Sequence, residues 1–259
     1  MTAADVLLPR SGVGAAPAVR VSSVTHRYGP HSPAILEDMS FTVASGEFVC
    51  LLGASGCGKS TLLNLIAGLD QPSSGTIAKA DGAALMFQES ALLPWLTAAE
   101  NVELALRLRG VGKAERRAEA LRLLETVRLA EHAGRRPHEM SGGMRQRVAM
   151  ARAMAQQAKL LLLDEPFAAL DAITRDALHI ELRRLWRENE LSVVFVTHNV
   201  REAVRLGERV LLLSSRPGRI VAEYTVDIPA PRRIEDERVG ALAGEITERL
   251  EAEIRRHAH

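Results

Sequence analysis

Residues 46–68 read GEFVCLLGASGCGKSTLLNLIAG, and this stretch decides the fold. The run from Gly46 to Gly53 is short and apolar and ends in glycine, which predicts a β-strand buried on both faces. Helical spacing follows from Thr61 onward, and Gly68 is a suitable helix stop. The apolar residues at this helical spacing are Leu62, Leu65, Ile66 and Leu69. The stretch therefore predicts a strand, a loop and a helix, in that order.

The loop between this strand and helix, residues 53–60, reads GASGCGKS and fits the pattern G-x-x-x-x-G-K-[ST]. Its glycines let successive backbone amides point at phosphate oxygens, and the helix N-terminus adds the positive end of its dipole. Lys59 is expected to bridge the β- and γ-phosphates of ATP, and Ser60 to bind Mg²⁺. The predicted nucleotide-binding residues of this region are Gly53, Ser55, Gly56, Cys57, Gly58, Lys59, Ser60 and Thr61.

Two alternatives for this loop are disfavoured. A chance glycine-rich turn would not require the buried strand and the helix that flank residues 53–60. A dinucleotide-binding fold would require G-x-G-x-x-G, which is absent, and would leave the Lys59–Ser60 pair without a role. The loop therefore predicts a nucleoside triphosphate as the ligand.

A second apolar strand, Leu160–Leu163, carries Asp164 and Glu165 at its carboxyl end. Ligands of open α/β sheets collect at that edge. Asp164 is predicted to hold Mg²⁺ through water, and Glu165 to orient and deprotonate the water that attacks the γ-phosphate. An unperturbed glutamate, with a pKa of about 4.3, is a weak base, so positioning has to supply much of its effect. The alternative for an acidic pair after a strand is a helix N-cap.

The alternation of strands and helices defines the fold class. A third apolar strand, Val193–Thr197, follows the second, and Ala177–Glu190 between them has the pattern of an amphipathic helix. This order predicts an α/β fold with a mainly parallel sheet covered on both faces. From Leu96 to Gln157 the pattern is helical instead, and it begins with a capping box, Thr97 to Glu100. A helical subdomain is therefore predicted as an insertion into the sheet domain.

The tail from Pro229 predicts a separate helix. It places Leu242, Ile246, Leu250 and Ile254 on one stripe of a charged sequence, which we expect to pack against the sheet domain or a partner. The predicted organisation is therefore a flexible N-terminal tail (1–19), a nucleotide-binding α/β core (20–90 and 158–228), a helical subdomain (91–157) and a C-terminal amphipathic helix (229–259).

Composition limits the partners. The chain has 259 residues, and its 33 Lys and Arg nearly balance its 32 Asp and Glu, so no global field attracts nucleic acid or an anionic membrane. Its longest apolar runs are strand-sized, far below the ~20 residues of a membrane-spanning helix, and residues 1–16 do not have the pattern of a secretory signal.

Cys50 and Cys57 are expected to be free thiols. Cys57 lies in the phosphate loop, so we expect a thiol reagent to inhibit and ATP to protect.

Several motifs occur in an order that resembles the ATP-binding cassette ATPases over roughly residues 20–225. They are residues 53–60, Gln88, Ser141-Gly142-Gly143-Met144, Leu163-Asp164-Glu165-Pro166, Ala169-Leu170-Asp171 and His198. The Ser-Gly-Gly string followed by Arg145-Gln146-Arg147 is the most specific of these, because other phosphate-loop ATPases lack it. The resemblance implies a phosphate-loop NTPase (RecA-like) core with an antiparallel β part.

The resemblance also implies roles for individual residues. Gln88 resembles the residue that reaches the metal and the attacking water, and His198 the histidine that contacts the γ-phosphate. Asp171 resembles an aspartate of the dimer interface, and Tyr28 the aromatic residue that stacks on adenine. Ser141, Gly142 and Gly143 resemble the signature that faces the γ-phosphate bound by a second subunit. On residue type alone, Gln88 reads as a loop residue, His198 and Tyr28 as structural residues and Asp171 as a helix cap.

Two departures from the family pattern affect fine contacts only. Met144 stands where glutamine is commonest, and Ala169 where serine is frequent. Met144, together with residues 87–95 and 213–220, resembles the importer branch for nitrate, aliphatic sulfonates and taurine.

Branch membership implies an ATPase subunit at the cytoplasmic face of the inner membrane, as a homodimer with two sandwiched ATP molecules. Its implied partners are a separate transmembrane permease and, indirectly, an extracytoplasmic solute-binding protein; no nucleic acid is expected.

Other functional classes fit less well. A soluble cassette ATPase without a membrane partner usually has two cassettes or a long coiled-coil insertion, and neither is expected here. A phosphate-loop GTPase or kinase would have no use for the signature, and the base-reading N-K-x-D motif is absent. A nucleotide sensor would not need Asp164, Glu165 and His198 together. An importer ATPase for an unrelated small solute stays open, because the ATPase subunit does not touch the cargo.

Overall fold

The computed structural model describes residues 16–29, 31–80, 82–233 and 235–256. Most of the predicted N-terminal tail lies outside these residues, but Ala18 and Val19 are buried, and Val19 pairs with Val43. The described strands are β1 (Val19–His26), β2 (Leu36–Val43), β3 (Phe48–Leu52), β4 (Ser74–Lys79), β5 (Ala83–Met86), β6 (Leu160–Asp164), β7 (Ser192–Thr197), β8 (Arg209–Leu213) and β9 (Ile220–Thr225). The described α-helices are α1 (Lys59–Ala67), α2 (Ala98–Leu108), α3 (Lys113–Thr126), α4 (Gly142–Ala155), α5 (Ala172–Glu188), α6 (Val200–Leu206) and α7 (Glu237–Arg256).

The larger sheet has six strands in the order β5-β6-β7-β3-β8-β9, and only β9 runs antiparallel to its neighbour. The three strands predicted from apolar runs, β3, β6 and β7, are adjacent at its centre. All residues of these strands are buried, as expected for strands covered on both faces. A second, antiparallel sheet has the order β2-β1-β4. The predicted α/β fold with an antiparallel β part is confirmed.

Two apolar cores lie on opposite faces of the large sheet. Alternate residues of β3 divide between them: Phe48 and Leu52 point to one core, and Val49 and Leu51 to the other. The first core joins the sheet to α4 and α6 and to the helical insertion, and the second joins it to α1 and the antiparallel sheet. The phosphate loop lies at the boundary of these layers.

Helix α1 begins and ends close to the predicted positions. Its C-cap, Gly68, has φ +82°, a left-handed conformation that glycine adopts without strain. The chain turns there, so Leu69 leaves the helical stripe and is 63% exposed. The prediction that Leu69 belongs to the buried stripe is therefore wrong.

The inserted region is helical, as predicted, and contains α2, α3 and α4. The capping box before α2 is confirmed: the Thr97 amide donates to Glu100 Oε2 (2.8 Å), and the Glu100 amide donates to Thr97 Oγ1 (3.2 Å). Helix α5 starts at Ala172, five residues before the predicted start at Ala177, because Asp171 caps it.

Helix α7 packs against α6 of its own sheet domain. Ile246 is fully buried, whereas Ile254 is 42% exposed near the helix end. The predicted stripe is therefore correct at Leu242, Ile246 and Leu250, which contact the core, and wrong at Ile254. Residues 257–259 of the predicted tail lie outside the described residues.

Candidate active site

The phosphate loop, residues 53–60, connects β3 to α1 in a conformation that depends on glycine. Gly56 (φ +78°) and Gly58 (φ +100°) are left-handed. A Cβ at Gly58 would also lie 2.7 Å from Leu36 Cδ2, so a side chain there would both strain the backbone and collide with β2. The glycines are thus needed for the conformation of the loop, in addition to leaving its backbone amides free to bind phosphate.

Lys59 is the first residue of α1, and its side chain is almost completely buried. Its Nζ donates to the backbone oxygens of Gly53 (2.8 Å) and Ala54 (2.9 Å) at the start of the loop. The amine therefore lies inside the ring of the loop, where it is surrounded by backbone groups. A cation at this place is well situated to neutralise phosphate oxygens that the loop amides would bind.

Asp164 ends β6 at the same edge of the sheet and is 6% exposed. Burial raises the pKa of its carboxyl group; an interaction with the Ser60 hydroxyl lowers it, Glu165 raises it further, and Lys59 lowers it. The Ser60 hydroxyl, at the start of α1, and the Asp164 carboxylate, at the end of β6, are thus brought near each other. They form a pair of hard oxygen donors of the kind that Mg²⁺ prefers.

Glu165 follows Asp164 in a left-handed backbone conformation, φ +46°, which is uncommon for a residue other than glycine. Its amide donates to the Val196 carbonyl oxygen (3.0 Å), so the turn is held against β7. Its carboxylate Oε2 lies 3.2 Å from Nδ1 of His198, which comes just after the end of β7. Strained conformations of this kind cost about 1–3 kcal/mol and cluster at functional sites.

Tyr28 lies beside the phosphate loop with its ring 66% exposed. Its hydroxyl is 2.9 Å from Thr61 Oγ1, and its ring packs edge-to-face on His26 with centroids 5.1 Å apart. The ring is therefore fixed at one end while a flat apolar surface remains open to solvent. This arrangement is suited to stacking on a nucleobase.

Gln88 follows β5, and its side chain is exposed. The structure ties its main chain to the helical insertion through Gln146, a buried residue of α4. Gln146 Nε2 donates to the Gln88 carbonyl oxygen (3.2 Å), and Gln146 Oε1 accepts from the Ala169 amide (3.2 Å). The sequence interpretation missed this bridge, although Gln146 falls in helical phase with the buried residues Met150 and Ala153.

Ser141 is the N-cap of α4, and its Oγ accepts from the Met144 amide (3.2 Å). The two glycines that follow differ in their surroundings. A Cβ at Gly143 would lie 2.8 Å from Leu170 Cδ2 and 3.1 Å from the Ala169 carbonyl oxygen, whereas one at Gly142 would meet nothing closer than 3.8 Å. Packing within the chain thus explains glycine at position 143 but not at position 142.

Asp171 is the N-cap of α5, and its Oδ1 accepts from the Thr174 amide (3.0 Å). This hydrogen bond lowers the pKa of the Asp171 carboxyl group. Asp171 itself is exposed, so its cap role leaves the carboxylate accessible from outside the chain.

Residues 213–220 pack directly against the phosphate loop, and the sequence alone did not predict this contact. Arg216 Nε donates to the Gly56 carbonyl oxygen (3.0 Å). A Cβ at Gly218 would lie 2.2 Å from the Cys57 carbonyl oxygen, so the two backbones are in direct contact. The segment therefore shapes the loop through main-chain contacts, which no spacing in the sequence reveals.

Cys57 points into the core and is 1% exposed. Burial raises the pKa of its thiol, and a buried protonated thiol reacts poorly. The burial of Cys57 argues against inhibition by a thiol reagent, which stays a prediction, whereas the backbone of Cys57 is part of the loop. Both cysteines are free, as expected.

Together, the loop and the strand ends define a phosphate-loop NTPase. A sequence model of the family described as "ABC transporter" matches residues 36–168. The aliphatic sulfonates import ATP-binding protein SsuB of Yersinia pestis bv. Antiqua is 42% identical over 240 residues, covering 90% of this chain and 85% of that protein. The taurine import ATP-binding protein TauB of Burkholderia pseudomallei (strain 1710b) is 49% identical over 201 residues, covering 74% and 77%.

A solved structure is also similar: the ATP-binding cassette MJ0796, a dimer in a post-hydrolysis state bound to ADP and Pi. It superposes with a TM-score of 0.76 at 34% identity, over 82% of this chain and 100% of that one. The chain belongs to the ABC transporter family. It is an ATP-binding subunit with ATPase activity coupled to transport. None of its described helices is both long and apolar enough to cross a membrane.

Proposed function

We propose that the chain hydrolyses ATP with Mg²⁺ at the edge of the sheet where β3, β6 and β7 end. The observation that carries the proposal is the convergence there of residues from the start of α1 and from the ends of β6 and β7: Lys59, Ser60, Asp164, Glu165 and His198. Tyr28 supplies the stacking surface for adenine beside the same loop.

The donor set fits Mg²⁺. Ser60 and Asp164 provide a hydroxyl and a carboxylate near enough for the hydroxyl to lower the pKa of Asp164, and a divalent cation would offset the cost of burying the Asp164 charge. Gln88 is proposed as a third oxygen donor, from the exposed loop after β5. When bound, the ion would neutralise charge on the phosphate oxygens; the protein residues hold it and align the nucleotide.

Glu165 is proposed as the group that orients the attacking water and accepts its proton. Its backbone turn is fixed by the hydrogen bond to Val196, and its carboxylate is held by His198 at 3.2 Å. His198 is 60% exposed at its side chain, so it can contact a γ-phosphate while it holds Glu165. The roles of base and orienting residue are therefore assigned to this pair.

A second copy of the chain is proposed to complete the site. Among the described residues, nothing lies closer than 3.8 Å to a Cβ built at Gly142, so the backbone there is open to close approach by a group from a second copy. The exposed Ser141 and the amides that begin α4 can face the γ-phosphate held by the partner, as Asp171 can face the partner itself. The dimeric cassette MJ0796 supports this arrangement.

The transport partner is proposed to be a separate membrane permease, which places the chain peripherally at the cytoplasmic face of the inner membrane. Phe87 and Trp95, 40% and 65% exposed, precede and end the segment around Gln88, and these exposed aromatic side chains are proposed as contacts for a permease segment. The named roles of SsuB and TauB favour an aliphatic sulfonate or taurine as cargo, with nitrate as a related option. An extracytoplasmic binding protein would deliver it.

The test is Glu165→Gln, measured by phosphate release and by molecular mass with and without Mg-ATP. We expect hydrolysis to fall about 10²–10⁴-fold, the usual contribution of a general base, while ATP binding persists and the variant becomes dimeric with Mg-ATP. Glu190→Gln is the matched control, since Glu190 is exposed and also left-handed, φ +51°, and should behave as wild type. Normal hydrolysis by Glu165→Gln would rule out the proposed role of Glu165.

A further inference from the structure

A second cavity, of about 430 Å³, lies among α5, α6 and the segment that precedes α7. One face of α5 lines it with Ile180, Arg183 and Arg187, at the spacing of successive helical turns. The end of α6 adds Leu206, and residues 230–232 add another wall. We call it the arginine cavity. Its volume is within the range of about 300–1,000 Å³ that is typical of small-molecule sites.

The cavity contains more positive charge than its neighbours neutralise. Of its arginines, Arg184 pairs with Glu181 and Glu188, and Arg205 pairs with Asp176. Among the described residues, no carboxylate forms an ion pair with the other three. These three are Arg183, Arg187 and Arg232.

Two of the three unpaired guanidinium groups have a structural task, and one does not. Arg183 donates to the carbonyl oxygens of Arg205 and Leu206, and Arg232 donates to those of Val204 and Gly207, so both satisfy the end of α6. The negative end of a helix corresponds to only about half a unit charge, less than two guanidinium groups carry.

Within the described part of the chain, Arg187 has no such partner. It is exposed, and its Cζ lies 5.8 Å from the centroid of the Trp186 ring. Burial, together with the charges of Arg232 and Arg187, lowers the pKa of Arg183 to about 10. Arg232 and Arg187 thus disfavour the charge of Arg183, and Glu208 offsets only part of this effect, so an anion beside Arg183 and Arg187 would relieve the repulsion.

We propose that the arginine cavity binds a small organic anion with a sulfonate or carboxylate head and a short apolar chain. The head would be held by Arg187 and by the Nε and Nη2 groups of Arg183, because guanidinium groups bind such heads through paired hydrogen bonds. Arg232 would contribute its charge rather than a free edge, since its Nε and Nη2 already donate to the carbonyl oxygens of Ile228 and Val226. The apolar walls formed by Ile180, Leu206 and residues 230–231 would cover the chain. This site is separate from the nucleotide site and does not depend on the function proposed for it.

The test is calorimetric titration of the full chain with 1-butanesulfonate, without nucleotide. We expect Arg187→Ala to weaken binding at least about tenfold, the loss of one charge-assisted contact. Arg184→Ala is the matched control, because Arg184 lines the same cavity but is already neutralised, and it should change affinity less than about twofold. Equal affinity in wild type and Arg187→Ala would overturn the proposal.

Further measurements test which class of ligand the arginine cavity binds. 1-Butylammonium should not bind, and inorganic sulfate should bind more weakly than 1-butanesulfonate, because it lacks the apolar chain. In a Trp95→Phe background, 1-butanesulfonate should change the fluorescence of Trp186, which packs beside Arg187. Binding of anionic phosphatidylglycerol vesicles that Arg187→Ala abolishes, without binding of 1-butanesulfonate, would overturn the proposal in favour of a membrane surface.

Discussion

Asp164 has a charge that is costly in the chain alone and useful once a cation is bound. Burial raises the pKa of its carboxyl group, so the folded state holds its proton more tightly than the unfolded chain does. Stability linked to this group is therefore present at low pH and lost as pH rises through the folded pKa. At neutral pH the ionised carboxylate thus lowers the stability of the metal-free protein.

Asp164→Asn should make the metal-free protein more stable and inactive at once. We expect the melting temperature at pH 7 to rise by about 2–4 °C, the shift that about 1 kcal/mol gives in a protein of this size, because the buried charge is removed. Phosphate release should fall to background. Calorimetry at pH 5 and pH 8 checks the direction of the pH dependence, because the rise in melting temperature should be larger at pH 8. A lower melting temperature at both pH values would contradict this account of Asp164.

The start of α4 shows how one helix terminus can serve two purposes. Gly143 is in close contact with Ala169 and Leu170, which fixes α4 against the loop that leads from Glu165 to Asp171. Gly142, one residue earlier, is open. The first glycine is therefore available to a partner, whereas the second is required by packing.

Gly143→Ala and Gly142→Ala should separate these purposes. Gly143→Ala should destabilise the protein by about 1–3 kcal/mol, because its Cβ overlaps a backbone oxygen and a leucine methyl. Gly142→Ala should leave unfolding unchanged or slightly improved, since alanine favours helices, yet it should reduce ATP hydrolysis. Urea unfolding measures the stability of each variant, and phosphate release measures its ATP hydrolysis. Equal effects on stability would contradict the distinction.

The core and the helical insertion are joined by Gln146. Its amide contacts two segments at once: the loop after β5, at Gln88, and the loop after β6, at Ala169. A displacement of the helical insertion would therefore be transmitted to both loops of the nucleotide site. If the permease binds near Trp95 as proposed, the bridge gives a physical route that couples it to the nucleotide state.

Gln146→Leu should weaken this coupling while the phosphate loop remains intact. Removing the bridge leaves the Gln88 carbonyl and the Ala169 amide without a partner, which costs about 1–3 kcal/mol in stability. Hydrolysis should fall, whereas ATP affinity should stay within about twofold, because Lys59 and residues 53–60 are untouched. Gln156→Leu, at the exposed end of the same helix, is the control. Reduced ATP affinity with normal turnover would argue against the bridge.

Periodicity and short motifs in the chain were enough to predict the central strands, the helical insertion, the phosphate loop and the acidic pair after β6. These features are local: an apolar run, a glycine pattern and a capping box act through neighbours a few residues away. Site roles for Gln88, His198, Asp171 and Tyr28 came only from resemblance to a family, because residue type alone indicated ordinary structural roles for them.

The folded chain was needed for everything that depends on contacts between distant segments. The placement of His198 at 3.2 Å from Glu165, the Gln146 bridge and the support of the phosphate loop by Gly218 all join residues that are far apart in sequence. The same is true of the orientation of Cys57, which the loop pattern left open and core packing directed inward. The pattern along the chain specifies which elements form, whereas the packing of those elements specifies which side chains meet, because contacts between distant residues depend on three-dimensional shape.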